Sequence, residues 1–179
     1  NHADFSGADL SGANLEGTNL SGANLSRANL RGSHLKGANL RDASLRSVIL
    51  RRANLAEADF SGAQLTRFPK SNNTDLGSTL FRGAIFDNVE MQGVSVDGAN
   101  FSGARICNSD LQNLLARGAY FRNTYFSNVN LAGASLERAN LTNAVFENRI
   151  QLCQARLNNA VLEKTQLNGA NLTGVVLDN

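Results

Sequence analysis

Side chains able to do chemistry are few in this chain of 179 residues, and they are scattered. There are two histidines, His2 and His34, and two cysteines, Cys107 and Cys153. His34 stands alone, so an imidazole-based metal or acid–base pair has no second member near it. The cysteines are too few for a disulfide framework and lack metal-ligand spacing. Sixteen glycines are present, but no phosphate-binding glycine loop. What is concentrated is charge. Between 27 and 52 lie Arg27, Arg31, Lys36, Arg41, Arg46, Arg51 and Arg52 against a single acid, Asp42. That stretch carries +6 in a chain whose net charge is +2, so the remainder is −4. A basic belt of this kind would welcome an anionic partner, protein or nucleic acid. No aromatic residue interleaves with it, which argues against base stacking with a single strand.

These residues are positioned by a repeat. From Phe5 through Leu10 and Leu35 to Leu65, a large apolar residue recurs every fifth position. The phase resumes at Leu76, runs to Phe146, gains one residue near 149–151, and continues from Leu152 to Leu177. Of 34 such centres, 22 are Leu and eight are Phe, and the residue two before the centre is Ala in 20. Side chains two apart on an extended backbone point the same way, so each repeat sends one large and one small side chain inward. Fifteen of the sixteen glycines lie two after a centre, and nine further repeats carry Asn there. Both residues accept positive φ, which a type II turn requires at its third position. The repeat therefore predicts a short extended piece followed by a corner.

A helix cannot keep one apolar face on a five-residue period. Ordinary hairpins need longer strands than the two or three residues available here. A solenoid of short strands and corners remains. At Leu114 and Ala116 the large and small inward residues change places. Total volume is conserved there, so the coil is expected to adjust locally without breaking. The phase break over 66–73 contains Pro69, Asn72 and Asn73 and reads as a loop. Phe68 in this loop is the only phenylalanine outside the centre register, and it is a candidate for contact with a partner. No apolar run approaches the roughly 18 residues of a membrane span, and no signal peptide is visible. The chain starts without Met and already in register, which suggests a piece of something longer.

The phrase Ala-(Asp/Asn)-Leu-x-x, as in Ala8-Asp9-Leu10, Ala53-Asn54-Leu55 and Ala139-Asn140-Leu141, resembles the pentapeptide-repeat family over nearly the whole chain. The resemblance implies an all-β, right-handed quadrilateral β-helix with four repeats per coil. That makes about eight coils in one domain over 1–179, with repeat blocks 3–65, 74–148 and 150–179. Stacked at ~4.8 Å, the coils would form a rod roughly 40 Å long. The resemblance also implies a cyanobacterial or other bacterial origin, or a plastid one. One branch of the family resembles duplex DNA and acts on DNA gyrase through a strongly acidic rod dimerised by a C-terminal helix. This chain has a basic belt, balanced charge and no such helix, which disfavours that role.

The interior slots leave nothing titratable for catalysis, so the expectation is a non-enzymatic scaffold with no cofactor and no metal. Its flat faces would bind another protein. Outward slots in the second block hold Leu80, Ile85, Leu115, Tyr120, Tyr125 and Val145. On a four-face count Ile85, Tyr125 and Val145 share a face with Arg105 between them, a partly apolar strip suited to an interface. The Tyr120/Tyr125 pair is expected to mark its face. The candidate interaction residues are therefore Arg27, Arg31, Arg46, Arg51, Arg52, Phe68, Ile85, Tyr120, Tyr125 and Val145. The alternatives are anion or nucleic-acid binding by the basic belt, a repeat domain of a larger protein such as a bacterial effector, and end-to-end association through uncapped coils.

Overall fold

The computed structural model describes residues 3–65 and 76–177. Each outward residue before a centre pairs in parallel with its equivalent one coil on: Asp4 with Asn24, Asn24 with Ser44, and Ser44 with Gln64. The step of 20 residues is four repeats, so the coil has four faces. Face 1 carries this column. Face 2 carries Asp9, Asn29 and Ile49, then Ser95, Leu115, Ser135, Arg156 and Val176. Face 3 carries Asn14, His34, Asn54, Leu80, Asn100, Tyr120, Asn140 and Val161. Face 4 carries Asn19, Asn39, Asp59 and Ile85, then Arg105, Tyr125, Val145 and Gln166. Parallel connections of this kind wind right-handed, and the chain is the expected right-handed quadrilateral β-helix.

Backbone groups are satisfied between coils. Leu25 N donates to Ser44 O (2.8 Å) and Asn24 N to Ala3 O (3.0 Å). At most corners the centre's carbonyl accepts from the amide three residues on, as from Ala28 N to Leu25 O (3.0 Å). The third corner residue takes positive φ. All fifteen glycines placed there by the sequence do so, with Gly12 at 69° and Gly103 at 72°. Eight asparagines follow, from Asn88 to Asn159. Less expected are Arg27 (63°), Asp42 (56°), Ser47 (55°), Arg52 (62°) and Glu57 (62°), which hold the same conformation in consecutive coils. Left-handed backbone costs a side-chain-bearing residue about 1–2 kcal/mol. Stacking between regular coils imposes it regardless of residue type.

On face 4 of the second block the extended pieces lengthen to three residues and join as one parallel sheet. Its strands are β1 (Ile85–Asp87), β2 (Arg105–Cys107), β3 (Tyr125–Ser127) and β4 (Val145–Glu147), in that order. The corner after β1 is also different: Val89 N donates to Ser109 Oγ (3.0 Å) of the next coil.

Both sequence irregularities are absorbed in register. Asn54 pairs with Leu80 and Asp59 with Ile85, steps of 26, so the interval between Leu65 and Leu76 adds six residues without losing a face. Asn130 pairs with Gln151, a step of 21. The extra residue sits where Asn148 (54°) and Arg149 (41°) are both left-handed, a bulge that keeps the following coils aligned.

The interior is a filled column. Leucines dominate the corners of faces 1 and 2, and phenylalanines those of faces 3 and 4 in the second block. Phe81 stacks on Phe101 (4.7 Å between centroids) and Phe101 on Phe121 (5.0 Å). Phe60 stacks on Phe86 (4.8 Å) and Phe126 on Phe146 (4.4 Å). Edge contacts such as Phe81–Phe86 (5.3 Å) tie the two ladders together. Leu114 and Ala116 are both fully buried with the coil unbroken, the local adjustment expected of a volume-conserving swap. Hydroxyls in the small inward slots are satisfied by backbone: Ser33 Oγ donates to Leu30 O (2.7 Å), Thr79 Oγ1 to Leu50 O (2.7 Å) and Thr124 Oγ1 to Phe101 O (2.8 Å). Buried polar groups need such partners.

Candidate interaction surfaces

Among the described residues, no ionisable side chain is buried and no group of three His, Cys, Asp or Glu gathers to hold a metal. His34 stands outward on face 3, exposed. Cys107 is half-buried on face 4. Burial pushes its thiol pKa up, Arg105 pulls against that and Asp87 adds to it, and the net shift is upward. This disfavours the thiolate a nucleophile needs. Cys153 lies on a different column, following Leu152 at the corner after face 1. A depression of about 560 Å³ runs along the corner between faces 4 and 1 and includes Asn108, Asp110, Asn128, Asn130 and Gln151. Its amides are engaged with one another: Asn128 Nδ2 donates to Asn108 Oδ1 (2.9 Å), Asn130 Nδ2 to Asp110 Oδ1 (3.1 Å) and Asn171 Nδ2 to Gln151 Oε1 (3.0 Å). The trough is a ladder that stabilises the corner.

Two outward surfaces remain. The first is apolar and aromatic. Ile85, Arg105, Tyr125 and Val145 pair in sequence along face 4, as the four-face count requires. Tyr120 does not stand with Tyr125. It lies on face 3, in the column Leu80–Asn100–Tyr120–Asn140–Val161. Consecutive repeats occupy adjacent faces, so the two tyrosines flank one long edge. That edge carries Arg82 and Arg122, each directly after a face 3 centre and both exposed. Tyr120 is 48% exposed and Leu80 41%. The Arg105 guanidinium lies 5.3 Å from the Tyr125 ring centroid, and Tyr125 Oη donates to Glu147 Oε2 (2.9 Å). Beneath this edge run the two phenylalanine ladders. Sequence reasoning passed over Arg82 and Arg122, because only the stacking brings them into one column along the edge between faces 3 and 4.

The second surface is basic, and it is a patch instead of a belt. Arg27 and Arg46 lie at the corner leading into face 2, where Arg27 N donates to Arg46 O (2.8 Å). Arg31, Arg51 and Arg52 lie at the corner leading out of it, where Gly32 N donates to Arg51 O (3.1 Å). All five therefore frame one stretch of face 2, around Asn29 and Ile49. The other two basic residues are elsewhere and paired, Lys36 with Glu57 (3.7 Å) and Arg41 with Asp59 (3.2 Å). Burial pushes the Asp59 carboxyl up. Hydrogen bonds from the Ser61 hydroxyl and amide, with Arg41, outweigh this and hold it below the ordinary carboxylate range. Phe68 lies outside the described residues.

A four-faced parallel coil with a filled interior, whose only variable chemistry is outward, defines a class. The chain belongs to the pentapeptide-repeat family: the model for pentapeptide repeats matches in eight copies, over residues 1–37, 33–68, 72–103, 109–148 and 148–179. That model describes a repeat and not a catalytic domain. Among solved structures, the chain is similar to HetL, a pentapeptide-repeat protein involved in heterocyst differentiation regulation in the cyanobacterium Nostoc sp. strain PCC 7120. Identity is 30%, over 97% of this chain and 76% of that one, with a TM-score of 0.59. It shares the fold of QnrB1, a plasmid-mediated fluoroquinolone resistance protein. There identity is 21%, over 100% of this chain and 86% of that one, with a TM-score of 0.77. The comparison with curated proteins gave no match. Among the described residues no helix is long and apolar enough to cross a membrane.

Proposed function

We propose that the protein is a non-enzymatic rod that binds another protein along the edge between faces 3 and 4. The observation that carries this reading is the outward run of exposed Leu80, Ile85 and Tyr120 with half-buried Tyr125 and Val145 on two adjacent faces, interleaved with Arg82, Arg105 and Arg122. Tyr and Arg are the residues most enriched at interface hot spots. The stacked rings below hold the edge rigid, so docking orders little that is not already ordered. HetL, a relative at 30% identity, is involved in heterocyst differentiation regulation, which suits a binding role.

Replacing both Tyr120 and Tyr125 by Ser is expected to abolish capture of the partner from a native extract. The unfolding midpoint should stay within a few degrees of wild type, because both side chains are outward. Undiminished capture by the double variant would remove this edge as the binding surface.

A further inference from the structure

The arginine patch on face 2 has no part in that interface. We infer that it is a second binding site, for the phosphodiester backbone of a nucleic-acid duplex. Elsewhere on the corner leading out of face 2, two arginines are matched by acids of the neighbouring coil, while Arg138 makes no ion pair within the described residues. Arg117 meets Asp97 (2.9 Å), whose hydrogen bond and charge raise the guanidinium's pKa, and Arg156 meets Glu137 (2.9 Å). In the second coil the same column holds Arg31. Arg31, Arg46 and Arg52 make no ion pair within the described residues, and Arg46 Nε is buried without a hydrogen-bond partner. Face 2's own acid there, Asp9, is engaged by Ser11 N (3.0 Å) and Asn29 Nδ2 (3.1 Å).

Two patch members, Arg27 and Arg52, also occupy left-handed corners where glycine serves through most of the first block.

The chemistry favours phosphate over an acidic protein. All five cations are arginines, whose planar fork suits phosphate oxygens. No large hydrophobic residue of the first block is exposed, since the exposed ones begin at Leu80. A protein interface would lack the apolar anchors it needs. Aromatic platforms for a single strand are also missing. A flat face edged by two ranks of arginine can hold a duplex backbone without reading its sequence.

The test is fluorescence anisotropy of a labelled DNA duplex with the full chain, titrated between about 50 and 200 mM salt. Binding is expected to weaken with a log–log slope of about −2.7, the value for three phosphate contacts, by Arg31, Arg46 and Arg52. Arg31→Glu with Arg46→Glu should weaken it on the order of 100-fold at low salt, and the Gln pair by about tenfold. Arg82→Glu with Arg122→Glu makes the same change in net charge on the other edge and should have little effect, as should the Tyr→Ser pair. Several results would overturn the proposal: no binding at about 50 mM salt, equal loss in the two charge-reversed pairs, or tighter binding of a polyglutamate chain than of the duplex. Because the Tyr→Ser pair is measured in the same assay, the two surfaces stand or fall separately.

Discussion

Leu114→Ala is expected to cost about 2–5 kcal/mol and Ala116→Leu about 1–3 kcal/mol, yet the two together should cost less than either alone. Both side chains are fully buried in adjacent inward slots. The first change opens a cavity that the stiff coils above and below cannot collapse into. The second forces a large side chain beside one already in place. Combined, they put Ala in the small slot and Leu in the large one, the order found in most coils, with total volume restored. The coupling free energy from urea unfolding of the four proteins should therefore exceed about 2 kcal/mol in the compensating direction. Additive costs would mean that the two slots do not share one volume, and that the packing account of the swapped repeat is wrong.

Phe101→Ala should be the most damaging single truncation, at about 3–5 kcal/mol. Phe101 is 1% exposed and sits between Phe81 and Phe121, with Phe86 at 5.5 Å. Its loss removes two stacked contacts and interrupts the ladder under the proposed interface. Phe5→Ala, in a coil where that ring is only half-buried, should cost distinctly less. Equal shifts in unfolding midpoint for the two variants would show that ladder continuity adds nothing to burial.

The sequence exposes the inward architecture because inward slots are constrained by volume and repeat in strict phase. Alanine and leucine mark the small and large positions. Glycines and asparagines mark corners, and every such residue in the described coils adopts the expected backbone. The corners at Arg27, Asp42, Ser47, Arg52 and Glu57 are different. Local preference argues against left-handed backbone for these residues, and only the stack of coils imposes it. The outward chemistry was half legible. The excess charge of 27–52 is plain in composition, but its shape depends on pairs far apart in sequence. Glu57 and Asp59 pair with Lys36 and Arg41, and the other five arginines gather around one face. Likewise Tyr120 and Tyr125 are five apart in sequence and fall on two faces, so the surface they mark is an edge.

The most direct measurement places a photo-crosslinking residue at position 120 in one protein and at position 112 in another. Gln112 is exposed at the corner between faces 1 and 2, away from the proposed edge. With a native extract, the account predicts a discrete crosslinked protein from position 120 and none from position 112. Equal crosslinking from both positions, or crosslinking from 112 alone, would contradict it.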